Sequence, residues 1–177
     1  MNKNIVIADS QTLVISKACV EDAQEIISFL NCVGGETDFL TFGLNKFHVS
    51  LVDEIATIFD CLERNVCLML VGKIENDIVA QLFLQRSDNL RLAHIGEIGV
   101  SVCRQHWGKS IGRLMMEAAI EWSRNSGVGK LQLQVRVDNQ RAVQLYNKLG
   151  FVIEGTITRA LKINELYFDE YLMGLLL

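Results

Sequence analysis

The spacing of apolar residues changes several times along the chain, and each change marks an element. Leu13 to Lys17 (LVISK) is a short apolar run that reads as a strand, behind an N-terminal extension of residues 1–11. Ala23, Ile26, Ile27 and Leu30 then recur at helical spacing after Glu21 and Asp22, two acids that suit a first turn, so a helix is expected over Val20 to Val33. Gly34 and Gly35 end it. Glu36 to Val49 has no period and reads as a loop with aromatic anchors. Ser50 is placed to cap a second helix whose buried stripe would be Val52, Ile55, Ile58, Phe59 and Leu62.

Val66 to Ile74 and Ile78 to Gln85 flank Glu75-Asn76-Asp77 and predict a hairpin. After a turn at Asp88-Asn89, Arg91 to Cys103 is a third strand, where Gly96 and Gly99 mark a bulge or a close backbone approach. Ile111, Leu114, Met115, Ala118, Ala119 and Trp122 keep helical spacing for three turns. Lys130 to Val137 alternates as a strand with one wet face. Gln140 to Leu149 is a short helix with Ala142, Leu145, Tyr146 and Leu149 inward, stopped by Gly150, and Phe151 to Ile163 and Leu166 to Leu175 are strands around Asn164-Glu165. This order predicts an α/β (α+β) fold: one domain, residues 12–177, with helices on both faces of a mixed sheet.

Half of the 177 residues are hydrophobic, which excludes a disordered chain. No run free of charged residues exceeds ten, so no membrane helix is expected, and Met1 to Ser10 does not read as a secretion signal. Seventeen basic residues against 21 acidic ones give a formal charge of -4 with no basic run, which argues against nucleic acid and membrane as partners. An anionic ligand would need a local device. Cys19, Cys32, Cys61, Cys67 and Cys103 lie in apolar segments without a CxxC pair and read as buried thiols of a cytoplasmic protein. Cys103 and His106 are a close pair, but two ligands make no metal site.

That device lies between Gly99 and Gly112, where a strand runs through a Gly-rich turn into the strongest helix. Unpaired N–H groups at a helix start can hold a pyrophosphate, although the turn matches neither the P-loop nor GxGxxG. A second segment, Asp138 to Phe151, follows the alternating strand directly. Together they resemble the GNAT N-acyltransferase superfamily. Its acetyl-CoA motif, a Gln or Arg followed by x-x-Gly-x-Gly, corresponds to Trp107-Gly108-Lys109-Ser110-Ile111-Gly112, with Trp107 and Ser110 as departures. Its Asn-xx-Ala-xx-Leu-Tyr-xxx-Gly-Phe segment is matched in full from Asn139 to Phe151. The resemblance covers His94 to Gly155 and, more weakly, Leu13 to Leu30; the tail, Gly155 to Met173, is similar to a small-molecule branch that includes amino-acid N-acetyltransferases.

The resemblance implies a mostly antiparallel seven-stranded sheet with about four helices, two splayed strands holding the acyl-CoA, and no metal. Gly99, Val100, Ser101 and Val102 would pair with the pantetheine arm, the Val100 N–H polarising the acetyl carbonyl. Trp107, Gly108, Lys109, Ser110, Ile111, Gly112 and Arg113 would cradle the pyrophosphate, with Lys109 and Arg113 adding charge. Asn139 and Ala142 would face the cofactor arm, Asn139 serving equally as an N-cap. Tyr146 would be the general acid; the alternative is an aromatic packed with Leu145 and Leu149.

Glu97 is the candidate base, because an unpaired carboxylate among apolar strand residues has a raised pKa; the alternative is an outward-facing or salt-bridged residue. Gln134, where some ribosomal-protein N-acetyltransferases carry a base, cannot take a proton. His94 and His106 are lesser base candidates, and Glu36, Asp38 and Asp169 would bind the acceptor's ammonium. The expected activity is acetyl transfer from acetyl-CoA to a small primary amine or amino acid, directly in a ternary complex. A protein N-terminal or lysine acetyltransferase is an alternative, favoured by a wide groove near Glu36 to Phe47, and a non-catalytic acyl-CoA-binding module is another. The apolar final strand, Tyr171 to Leu177, points to a homodimer edge.

Overall fold

The computed structural model describes residues 2–64 and 66–177; Met1 of the expected extension and Asn65 lie outside it. The first half of the chain holds β1 (Asn2–Val6), β2 (Thr12–Lys17), α1 (Ala23–Val33), α2 (Leu51–Glu63), β3 (Cys67–Ile74), β4 (Asp77–Arg86) and β5 (Ile95–Val102). The second half holds α3 (Ile111–Asn125), β6 (Lys130–Arg136), α4 (Gln140–Lys148), β7 (Val152–Ile163) and β8 (Leu166–Leu176). The strands make one sheet in the order β1-β2-β3-β4-β5-β6-β8-β7, antiparallel except between β5 and β6. The expected mixed sheet is present with eight strands instead of seven, because Asn2–Val6, read as an extension, pairs with β2 from Asn2↔Ser16 to Val6↔Thr12.

Local chemistry explains the turns. Glu75 and Asn76 (φ 52° and 76°) join β3 to β4, and Asn164 and Glu165 (φ 47° and 64°) join β7 to β8, as two-residue turns with both central residues left-handed. Gly150, at φ 93°, ends α4 where a side chain would be strained. Ser50 caps α2 by accepting from the Asp53 N–H at 3.1 Å.

The two sheet faces are assigned by contacts from β3. A Cβ at Gly72 would lie 3.2 Å from the sulfur of Met115, so α3 covers that face. Lys73, the next residue, pairs with Asp22 at 2.5 Å, so α1 covers the other. Met69, Gln81, Phe83 and Gln85 also line the cavity beneath α1 and α2. Between the layers Leu13, Ile15, Leu70, Leu82, Leu84, Met115 and Met116 are fully buried.

Four expectations need correction. The inward face of α2 carries Glu54, Ile58 and Cys61, while Val52, Phe59 and Leu62 of the expected stripe are exposed. The ladder from β4 to β5 is regular through Gly96 and Gly99, so neither is a bulge; Gly96 is a close approach, where a Cβ would meet Leu131 at 3.1 Å. Among the cysteines, Cys103 is a buried thiol, Cys19 and Cys32 are exposed, and Cys61 and Cys67 are joined in a disulfide, the short link from α2 to β3 bringing their Cα atoms to 4.7 Å. The final strand is no edge, because β8 is paired with both β6 and β7.

Asp22 is the buried charge that ties α1 to the sheet. Burial alone would raise its pKa, but the Cys19 N–H at 2.9 Å and the Lys73 ammonium outweigh it and hold the carboxyl below its ordinary range. Its ionic contribution is therefore present above the ordinary aspartate pKa and is lost as pH falls through the depressed one. Asp22→Ala should cost about 2–4 kcal/mol at pH 7, with the deficit shrinking below about pH 3, as read by urea unfolding at both pH values.

Candidate active site

The site begins where the sheet opens. β5 and β6 pair through Ile95↔Lys130, Gly96↔Leu131 and Glu97↔Gln132, and then separate. β4 continues to hold β5 as far as Val102, and β8 holds β6 as far as Arg136, so each strand keeps one paired edge and turns the other to the gap. The Cys103 N–H reaches back to Val79 O at 3.0 Å, and backbone direction alternates along a strand, so the N–H groups of Val102 and Val100 point into the gap. Trp107 closes one end of it, its indole N–H donating to Val102 O at 2.7 Å. Arg104 and Arg141 stand over its ring at 5.5 and 4.9 Å.

At the same end the chain turns into α3. Gly108 and Ser110 are left-handed, at φ 86° and 64°, which turns successive amides toward one side. The N–H groups of Gly108, Ser110, Ile111, Gly112 and Arg113 meet no acceptor among the described residues. The Ser110 hydroxyl does not cap the helix. In the same wall the buried His106 Nδ1 has no partner among the described residues, and burial with the nearby Lys109 lowers the pKa of that imidazole. Orphaned donors around a helix start are what a diphosphate would satisfy, so these residues fit one.

Gap and turn belong to one cavity of about 1100 Å³. α4 supplies Tyr146, 8% exposed, with its ring centroid 5.9 Å from that of Phe151. Burial pushes the phenol up to about 12, and its hydroxyl has no partner among the described residues. Asn139 caps α4, its Oδ1 accepting from the Ala142 N–H at 3.2 Å.

The opposite wall comes from α1, α2 and the loop over residues 36–49, which side chains hold in place without regular structure. Glu36 accepts from the Arg104 N–H at 2.7 Å and from its guanidinium through the carbonyl. Arg136 donates to Asp38 O at 2.9 Å, is gripped by both carboxylate oxygens of Asp138, and lies against the rings of Phe168 and Phe39 at 3.7 and 4.9 Å. Asn31 bonds both backbone groups of Phe47. In this wall Glu54 is 4% exposed, and its carboxylate makes no hydrogen bond or ion pair among the described residues; desolvation raises its pKa.

A model of the acetyltransferase (GNAT) family matches residues 38–151. The chain belongs to the GNAT acetyltransferase family. The L-amino acid N-acetyltransferase AaaT of Escherichia coli K12 is 32% identical over 106 residues, 59% of this chain and 65% of that protein. Spermidine N(1)-acetyltransferase of Vibrio cholerae is 33% identical over 81 residues, 45% of this chain and 47% of that one. The chain thus spans less than two thirds of either relative. A GNAT acetyltransferase crystal structure from Streptococcus pneumoniae superposes with a TM-score of 0.91 at 34% identity, covering 93% of this chain and 99% of that one. YncA of Salmonella typhimurium, solved with its cofactor acetyl-CoA, shares the fold at a TM-score of 0.81 and 18% identity, covering 93% of each chain. Acetyl-CoA is the cosubstrate of GNAT acetyltransferases, and it supplies an activated acetyl thioester.

Against that background the expected residues divide. Those named for the cosubstrate line the cavity, from Gly99 through Val102 and from Trp107 through Arg113 to Asn139, Ala142 and Tyr146, except Lys109. Lys109 turns to the N-terminal segment, 3.0 Å from Asp9 and 3.1 Å from Gln11. Arg113 also has a partner, Glu117 at 2.8 Å.

Glu97 lines the cavity but is exposed and accepts from Gln132 Nε2 at 2.9 Å; the desolvated, unpaired carboxylate expected there is not found. Of the acceptor candidates, Glu36 is engaged by Arg104, and Asp38 and Asp169 lie outside the cavity wall. Asp169 accepts from the Arg159 N–H, and its neighbour Glu170, on the other side of the strand, lines the cavity instead. His94 is also outside it. The residue sequence reasoning missed is Glu54; its signal was an acid on the same helical stripe as Ile58 and Cys61. Among the described residues no three metal-ligating side chains converge.

A carboxyl whose pKa is raised in the fold adds stability below its ordinary pKa and loses it as pH rises through the raised one. Glu54→Gln should therefore melt higher than wild type at pH 7, by about 2–4 °C for each kcal/mol recovered, with the gap closing by about pH 4 in a calorimetric series.

Proposed function

We propose that the chain is an acetyl-CoA-dependent N-acetyltransferase that passes the acetyl group directly to a primary amine of a small molecule. The observation that carries this reading is the juxtaposition of three things in one cavity: amides at the α3 start and a buried phenol that meet no partner among the described residues, and an open strand edge. The amides of the turn hold the diphosphate. The Val100 N–H at the open edge polarises the carbonyl under attack. Tyr146 stays protonated at every working pH, because burial puts its pKa near 12, and it donates to the departing thiolate. Glu97, fixed by Gln132 where the strands part, takes the proton that the ammonium must lose.

The pinned loop over residues 36–49 supports a small acceptor over a polypeptide, since Leu40, Phe42 and Phe47 pack onto the core as a wall where a groove would need an open channel. A phenol and a carboxylate at the junction favour an enzyme over a passive acyl-CoA-binding module. Relatives named for amino-acid and spermidine acetylation support a small amine.

Calorimetry should detect stoichiometric coenzyme A binding, and an amine panel should release thiol from acetyl-CoA; neither signal in folded protein would overturn the reading. Tyr146→Phe should lower kcat about 10² to 10⁴-fold with the KM for acetyl-CoA changed only a few-fold; an unchanged kcat removes Tyr146 from the reaction.

A further inference from the structure

One group in the cavity has no part in the proposed chemistry. Glu54 projects from the first turn of α2, is 4% exposed and has no partner among the described residues. α2 places this acid inward while Val52 and Phe59 stay 75% and 58% exposed, the reverse of what hydrophobic burial favours. A largely buried acid without a partner lacks the counter-charge that would offset its desolvation.

The surrounding charge indicates which ligand. Among the described residues, the cavity wall contributed by α1, the loop over residues 36–49, α2, β3 and β4 contains no Lys or Arg. Its acids are Glu36, already engaged by Arg104, and Glu54. The Arg and Lys residues lining the cavity, Arg113, Arg141 and Lys148, all lie on α3 and α4 at the cosubstrate end. Phe39, Phe42, Phe47 and Phe83 supply apolar surface suited to an alkyl chain. An acceptor carboxylate would find no cation on this wall, whereas a positive charge would find an unpaired carboxylate.

We propose that Glu54 binds a second ammonium on the acceptor, so that the substrate class is a linear diamine or polyamine and not an amino acid. This rests on the acetyl-transfer reading above: the amine beside Glu97 is acetylated, and the distal one is anchored by Glu54. The ionised carboxylate is the form that binds, and an ammonium beside it favours that form.

Three acceptors of matched length separate the possibilities: 1,5-diaminopentane, pentylamine and 5-aminopentanoate, each assayed by thiol release with wild type, Glu54→Gln and Glu54→Asp. Wild type should favour the diamine over pentylamine by about tenfold or more in kcat/KM, with 5-aminopentanoate poorest. Glu54→Gln should erase most of that ratio, and Glu54→Asp should recover part of it. Calorimetry of 1,5-diaminopentane on the coenzyme A-loaded protein should weaken in parallel. A wild-type preference for 5-aminopentanoate, or a ratio unmoved in folded Glu54→Gln, overturns the proposal while leaving acetyl transfer standing. Absence of thiol release with every amine, and of heat with coenzyme A, overturns both.

Discussion

The parting of β5 from β6 after Glu97 and Gln132 is the constraint on which the site depends. A strand edge inside a protein cannot stay unpaired without cost, so a gap in a sheet persists only if both strands are held from their far sides and the exposed groups have another use. β4 and β8 provide the first condition, and Trp107 partly provides the second by capping Val102. The α3 turn follows directly from the held strand, and its left-handed residues aim the free amides at the same space.

Charge is divided along the cavity although the chain is acidic overall. The end near α3 and α4 has backbone donors and basic side chains; the end beneath α1 and α2 has carboxylates and phenylalanines. That polarity suits an anionic donor meeting a cationic acceptor, and it arises from placement, not net charge. Desolvation then acts on both sides of the proposed reaction, keeping the Tyr146 phenol protonated and leaving Glu54 short of a counter-charge.

The loop over residues 36–49, which joins α1 to α2 in the cavity wall, has neither helix nor strand. Its order comes from Arg104, Arg136 and Asn31, which reach from three different elements to the loop backbone, with Arg136 also stacked between Phe39 and Phe168. Side chains that satisfy backbone groups in this way replace the ladder the loop lacks.

What was legible in the residues themselves was whatever depends on local spacing. Hydrophobic periods located the helices and all strands but β1, left-handed turn residues located the hairpins, and two compact motifs located the α3 turn and Tyr146, because each is written within a few consecutive positions. The sequence by itself therefore determined the layered fold, the family resemblance and the position of the turn at the start of α3. Only the tertiary structure decided the rest. The inward side of α2, and with it Glu54, was settled by how that helix seats on the sheet. Whether Asp169 or Glu170 faces the cavity depended on the register of β8 against β6. The direction Lys109 takes was set by Asp9 and Gln11, about a hundred positions away in the chain. Long-range pairing sets each of these, and no local pattern encodes which distant group a side chain will meet.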